Sequence, residues 1–264
     1  MPLDLGDFNL VSNALSFTIA AFLASTVFFF FMRQHVAPAY RLALLLSGLV
    51  TLIALYHYVR IHASWHEAYQ ITETGLEATV IPFNDAYRYV DWLLTVPLLL
   101  IELILVMRLP RDQGRSLMIR LSAAAVLMIL LGYPGEISDN DVTRWTFWAL
   151  SMIPFLYIVY TLVVGLTDAI DRQPASARGL VSQARWLTIV VWLFYPIVFL
   201  FPMIGLSGAT AEVFVQVGYS AADVLAKAAF GLYIVAIAYT KSRDEAGWHM
   251  GDTEQTWSRR EAAQ

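Results

Sequence analysis

Polar residues along this chain fall into short clusters, and between the clusters almost every position is apolar. Seven apolar runs result, over about 9–32, 40–61, 86–108, 116–133, 144–167, 183–203 and 212–240. Crossing the hydrocarbon core of a bilayer takes about 20 helical residues; the fourth run is the shortest. A helix pairs its own backbone groups, so it is the natural spanning element where water is absent. The pattern predicts an all-α membrane protein, a seven-transmembrane-helix bundle. It predicts one unit over 1–242 and a polar tail over 243–264, with no soluble domain and no internal repeat. The first run lacks a basic leader and a small-residue cleavage site, so it is expected to be a retained helix and not a signal peptide.

The charged residues orient the bundle. Arg33 and Arg41 lie between runs one and two, Arg108, Arg111, Arg115 and Arg120 around the third connection, Arg172, Arg178 and Arg185 around the fifth, and Lys241 and Arg243 after the last run. The alternate connections are acidic, with Glu67, Glu73, Glu77 and Asp85 in one and Glu136, Asp139 and Asp141 in another. Cytoplasmic loops carry the excess of Lys and Arg, which predicts the N-terminus outside and the C-terminus cytoplasmic. Composition agrees with a lipid setting. The 264 residues are 58% hydrophobic and only 14% charged, against roughly 25% charged in soluble domains, and mean hydropathy is +0.60. Without cysteine there is no disulfide, thiolate chemistry or Cys-ligated metal. The histidines are scattered and form no metal cluster, and no basic run suggests nucleic acid.

Against this background a few residues are out of place. The stretch "SAADVLAKAAFGLYIVAIAYT" (220–240) holds Asp223 and Lys227, four residues apart and so on one helix face. A lysine at the centre of a spanning helix costs about 2.5–3.5 kcal/mol on insertion scales. The pair is either a buried ion pair that fixes packing or a functional site. In "NDAYRYVDWLLTVPLLLIELILVM" (84–107) lie Arg88, Asp91, Thr95 and Glu102. Asp91 and Glu102 are close to three full turns apart, on one face and separated by about 16 Å at 1.5 Å per residue. Carboxylates at two depths on one face mark proton relays. Singly, Glu102 could snorkel at a helix end, Arg88 could anchor an interface and Thr95 could bond its own backbone; together they point to a relay. His57 sits inside the second run and would interact with Asp91 if it faced it. In the sixth run Trp192, Tyr195, Pro196 and Phe199 form one stripe, either core or the wall of a pocket for a flat conjugated ligand.

Several of these motifs resemble the microbial rhodopsins, over nearly the whole chain. "RYVDWLLTVPLLL" (88–100) resembles that family's third-helix signature, "WLFYP" (192–196) its sixth-helix pocket motif and "DVLAKAAFGL" (223–232) its retinal-lysine motif. "LASTVFFFF" (23–31) and "LYHY" (55–58) are similar to the proteorhodopsin and xanthorhodopsin branch. The resemblance implies all-trans retinal held by Lys227 as a Schiff base, with Asp91 as counterion and proton acceptor. Asp223 would be the second carboxylate, Arg88 would lie just outside it, and Thr95 would hydrogen-bond in the same cluster. Trp92, Leu99, Trp192, Tyr195 and Pro196 would line the retinal. Asp91, Thr95 and Glu102 together resemble the outward proton pumps, with Glu102, protonated at rest in an apolar setting, as cytoplasmic donor. Leu99 resembles the green-absorbing form. The fifth-helix position at which carotenoid-binding relatives carry glycine aligns with Trp148, so no carotenoid antenna is expected. A homo-oligomer, a pentamer by preference, in the bacterial inner membrane is implied. Glu212 and Glu136 are candidates for an outer release group. A photosensory receptor of the same fold is the alternative, and a retinal-free transporter using Asp223 and Lys227 is a further one.

Overall fold

A computed structural model describes residues 3–73, 75–84 and 86–246. Among them seven helices are long and apolar enough to cross a membrane. They are helix 1 (Leu5–His35), helix 2 (Pro38–Ala68), helix 3 (Tyr87–Met107), helix 4 (Arg111–Glu136), helix 5 (Asp141–Gly165), helix 6 (Ala175–Phe199) and helix 7 (Ala209–Asp244). The expected seven-helix bundle is therefore present, with helices extending past the apolar runs into their polar flanks. The last helix continues to Ala246; the rest of the expected polar tail, 247–264, lies outside the described residues.

Local chemistry sets the helix ends. Asp4 opens helix 1 by accepting from Asp7 N at 2.8 Å, and Asp7 returns a bond to Asp4 N, which satisfies donors that a helix start leaves unpaired. Asn140 does the same for helix 5 through Thr143 N. Helix 3 ends at Arg108 in the left-handed conformation, φ 55°. Its last carbonyls are covered by Lys241 of helix 7, whose Nζ donates to Val106 O at 3.0 Å, Met107 O at 3.3 Å and Gln173 Oε1 at 3.0 Å. A cation is favoured at a helix C-terminus. Lys241 is thus buried as a tie between two helices, whereas its place at a run end suggests a side chain reaching for water.

Helix 1 packs on helices 2 and 7, helix 4 on helices 3 and 5, and helix 6 on helix 7. Helix 7 comes close enough to helix 1 that a Cβ on Gly231 would overlap the buried ring of Phe29. The outer surface is as apolar as the interior: Phe17, Phe31, Ile153 and Val190 are 66, 67, 67 and 65% exposed. That suits lipid and not water. Two features are absent from the apolar pattern. The connection between helices 2 and 3 folds into an antiparallel hairpin, Tyr69–Thr72 paired with Gly75–Ala78, turned at Gly75 with φ 130°. Helices 5 and 7 each contain one wider, π-type turn, at Thr161–Gly165 and Val224–Ala229.

Candidate functional site

The wider turn of helix 7 carries Lys227. Such turns are frequent at functional sites, and this one begins directly after Asp223. Lys227 is 2% exposed. Its Nζ lies 2.7 Å from Asp91 Oδ2 on helix 3 and 2.7 Å from Asp223 Oδ2 on its own helix. Two carboxylates from two helices therefore meet one amine in the middle of the bundle, and both are fully buried.

The two carboxylates are held differently. Asp223 Oδ1 accepts from the Tyr195 hydroxyl at 2.5 Å and from Trp92 Nε1 at 3.3 Å, and Asp223 Oδ2 accepts from the Tyr58 hydroxyl at 3.0 Å. Asp91 accepts no hydrogen bond at either carboxylate oxygen among the described residues, beyond its ion-pair contacts. Asp223 is thus pinned by three donors besides Lys227, whereas Lys227 alone lies at hydrogen-bonding distance from the Asp91 carboxylate among the described residues. His57 Nδ1 is 3.8 Å from Asp91 Oδ1, longer than a hydrogen bond. The same nitrogen is 2.9 Å from Ile53 O, where its N–H can donate. His57 therefore faces Asp91 but is tied to its own helix. The guanidinium of buried Arg88 stacks over Tyr219 at 5.1 Å and Tyr58 at 5.9 Å.

Thr95 differs from its expected role. Its hydroxyl donates to Asp91 O at 2.8 Å, so it braces one turn of helix 3 and does not bond the carboxylates. A β-hydroxyl on a helix readily reaches the carbonyl four residues back. Glu102, also fully buried, accepts a short hydrogen bond from the Ser47 hydroxyl of helix 2. Its other oxygen has no hydrogen-bond partner among the described residues.

The Lys227 side chain borders an apolar cavity. Trp92, Leu99, Trp192, Tyr195 and Pro196 are in its wall, as is Trp148. Pro196 has no N–H, and helix 6 tightens just after it, with Leu200 N donating to Ile197 O. The Pro196 carbonyl instead accepts from Trp148 Nε1 at 3.0 Å, which fixes the indole between helices 5 and 6.

Residues 9–241 match the family model described as "Bacteriorhodopsin-like protein". The chain belongs to that family. Among its bacteriorhodopsin-like relatives, the green-light absorbing proteorhodopsin of Gamma-proteobacterium EBAC31A08 is 32% identical over 242 residues, 91% of this chain and 90% of that protein. The crystallographic structure of xanthorhodopsin, described as a light-driven ion pump with dual chromophore, superposes with a TM-score of 0.89 at 48% identity. It covers 92% of this chain and 97% of that one. A thermophilic rhodopsin structure gives 0.89 at 46% identity, covering 93% and 99%. These similarities place the chain in the proteorhodopsin and xanthorhodopsin branch of the family.

For this bacteriorhodopsin-like chain, Tyr58 and Ser47 are the polar partners that sequence reasoning left without a role. A usable signal was present. Ser47, Thr51, Ala54, Tyr58, Ile61 and Trp65 follow a 4-3-4-3-4 spacing, one face of helix 2, and all six are buried. Inward-facing hydroxyls on that face needed partners, and the carboxylates of helices 3 and 7 supply them for Ser47 and Tyr58.

Proposed function

We propose that the chain is a light-driven outward proton pump, working through all-trans retinal bound to Lys227. The observation that carries the reading is the placement of one buried amine at 2.7 Å from each of two carboxylates, beside an apolar cavity walled by indoles. The residues suit the group: a primary amine condenses with an aldehyde, losing water, and Trp92 and Trp192 offer flat apolar surface to a polyene. Bound there, retinal supplies absorption of a visible photon and an isomerisation that reorients the proton on the Lys227 nitrogen.

The chain's own residues supply the direction. Before light, the positive Lys227 nitrogen is balanced by Asp91 and Asp223. Asp91 is the acceptor on this reading because Lys227 alone holds it, whereas Asp223 is also held by Tyr58, Tyr195 and Trp92. The proton moves from the nitrogen to Asp91. Glu102, three turns along the same helix, carries a proton at rest and returns one to the nitrogen from the other side. With the N-terminus outside, as the basic residues favour, the Asp91 half faces outward and the net transfer is outward. Each proton moved costs about 2.3 kcal/mol per 100 mV of opposing potential, which the photon supplies. Leu99 in the cavity wall supports green absorption, and Trp148, pinned to Pro196, supports the absence of a carotenoid antenna. A bacterial inner membrane and a pentameric homo-oligomer complete the proposal.

The test is external pH under green light in cells grown with all-trans retinal. Acidification abolished by a protonophore, and absent in both Lys227→Ala and Asp91→Asn, is expected. A coloured protein that leaves pH unchanged would move the function to sensing. Alkalinisation enhanced by the protonophore would mean that another ion is carried.

A further inference from the structure

Helix 7 carries Asp223, Tyr219, Gln216 and Glu212 at spacings of four, three and four, so the four share one face. The stripe leads from the buried cluster to the hairpin end of the bundle, over about 16 Å at 1.5 Å per residue. Arg88 stacks over its second member, Tyr219, at 5.1 Å. Gln216, its third, is 1% exposed. The Gln216 amide Nε2 donates to Glu212 Oε1 at 2.9 Å. Its carbonyl oxygen is buried with no hydrogen-bond partner among the described residues, a costly state unless something else bonds it. Glu212, half-buried, stands in the wall of a cleft that it shares with Leu3, Tyr69, Leu76 and Gly208, where the hairpin meets the start of helix 7. Glu136, the other acidic candidate at this end, accepts from Tyr89 at 3.4 Å; Tyr89 faces the apolar cavity, and the helix 7 stripe does not include it.

We propose that Glu212 is the carboxylate through which the transported proton leaves the protein, and that Gln216 is its positioning residue. The proposal rests on the outward-pump reading above. In each turnover Glu212 gains the proton given up by Asp91, becoming a carboxylic acid, and loses it to water in the cleft, returning to the carboxylate. One proton enters and one leaves. Gln216 holds Glu212 Oε1 through its N–H, and its carbonyl oxygen is the acceptor for a water that links the cluster to Glu212. An acidic residue placed in the first turn of helix 7 only for the helix dipole would stabilise the helix and leave proton timing untouched, which separates the two roles.

The experiment is flash excitation of the retinal-loaded protein in micelles, with a pH-indicating dye in the medium and visible absorbance followed at the same time. Absorbance times the loss of the proton from Lys227, and the dye times its arrival in water. If the wild type gives no proton signal at all, it is the pump reading that fails. Given that signal, Glu212→Gln is expected to delay proton arrival at least about tenfold relative to Lys227 deprotonation, a modest share of what positioned proton carriers contribute. Glu136→Gln is expected to keep wild-type timing. Should Glu212→Gln not form pigment, Gln216→Leu serves instead, with an expected delay of about threefold, below the full effect of a lost carrier. Wild-type timing in the variant used, or a delay confined to Glu136→Gln, overturns the proposal.

Discussion

Replacing Glu102 by Gln is the perturbation whose consequences the structure defines most closely. The two side chains have nearly the same shape, and the carbonyl oxygen of the amide can keep the bond from Ser47. What is lost is a transferable proton. The amide also brings an NH₂ to the place of an oxygen that has no hydrogen-bond partner among the described residues, and a buried donor left unpaired costs about 1–3 kcal/mol. Glu102→Gln should therefore fold, slightly less stable, and pump slowly. Positioned acids contribute about 10²–10⁴-fold, or about 2.7–5.4 kcal/mol at 1.36 kcal/mol per decade. The assay is the recovery of visible absorbance after a flash, which reports the return of the proton to Lys227. In the variant that proton has to come from solution, so recovery should slow by that factor and fall about tenfold per pH unit, first order in proton concentration. Recovery within a factor of about three of wild type and independent of pH would refute Glu102 as the donor, since nothing near the stated contribution would have been lost.

Trp148→Gly removes a partly buried indole held by Pro196 and should destabilise the protein by less than the about 3–5 kcal/mol of a fully buried ring; it should also allow energy transfer from an added carotenoid, read in the excitation spectrum. Transfer in the wild type would show that Trp148 does not close the wall. Lys241→Met removes three acceptors' worth of charged donor at the end of helix 3 and should cost about 1.5–3 kcal/mol, seen as a lower Tm. An unchanged Tm would mean that the tie adds nothing to stability. Gly231→Ala drives a methyl into Phe29 and should destabilise by about 1–3 kcal/mol, with thermal melting as the measure.

The bundle was legible because lipid imposes one rule on every helix: about 20 apolar residues in a row. The ionisable groups stood out against that background for the same reason. Helical spacing placed Asp223 and Lys227 on one face, and the structure adds what spacing cannot give, a carboxylate from helix 3 at the same distance. The hairpin at 69–78 was not legible, because strands of four residues are too short for the alternation in Tyr69–Thr72 to stand out. The wide turn at Lys227 leaves no mark in composition. The family resemblance put Thr95 in the cluster, and its hydroxyl instead donates to the Asp91 backbone carbonyl. Lys241 lies at the end of an apolar run like a snorkelling residue, and its burial under Met107 arises from contact between helices distant in sequence.

The central claim is that Asp91 receives the proton that Lys227 loses. Time-resolved infrared difference spectroscopy measures this directly, through the C=O stretch that a carboxylate gains on protonation. A carboxylic acid band rising together with Lys227 deprotonation, and missing in Asp91→Asn, is the predicted result. A band that persists in Asp91→Asn and vanishes in Asp223→Asn would contradict the account and assign the proton to the other carboxylate.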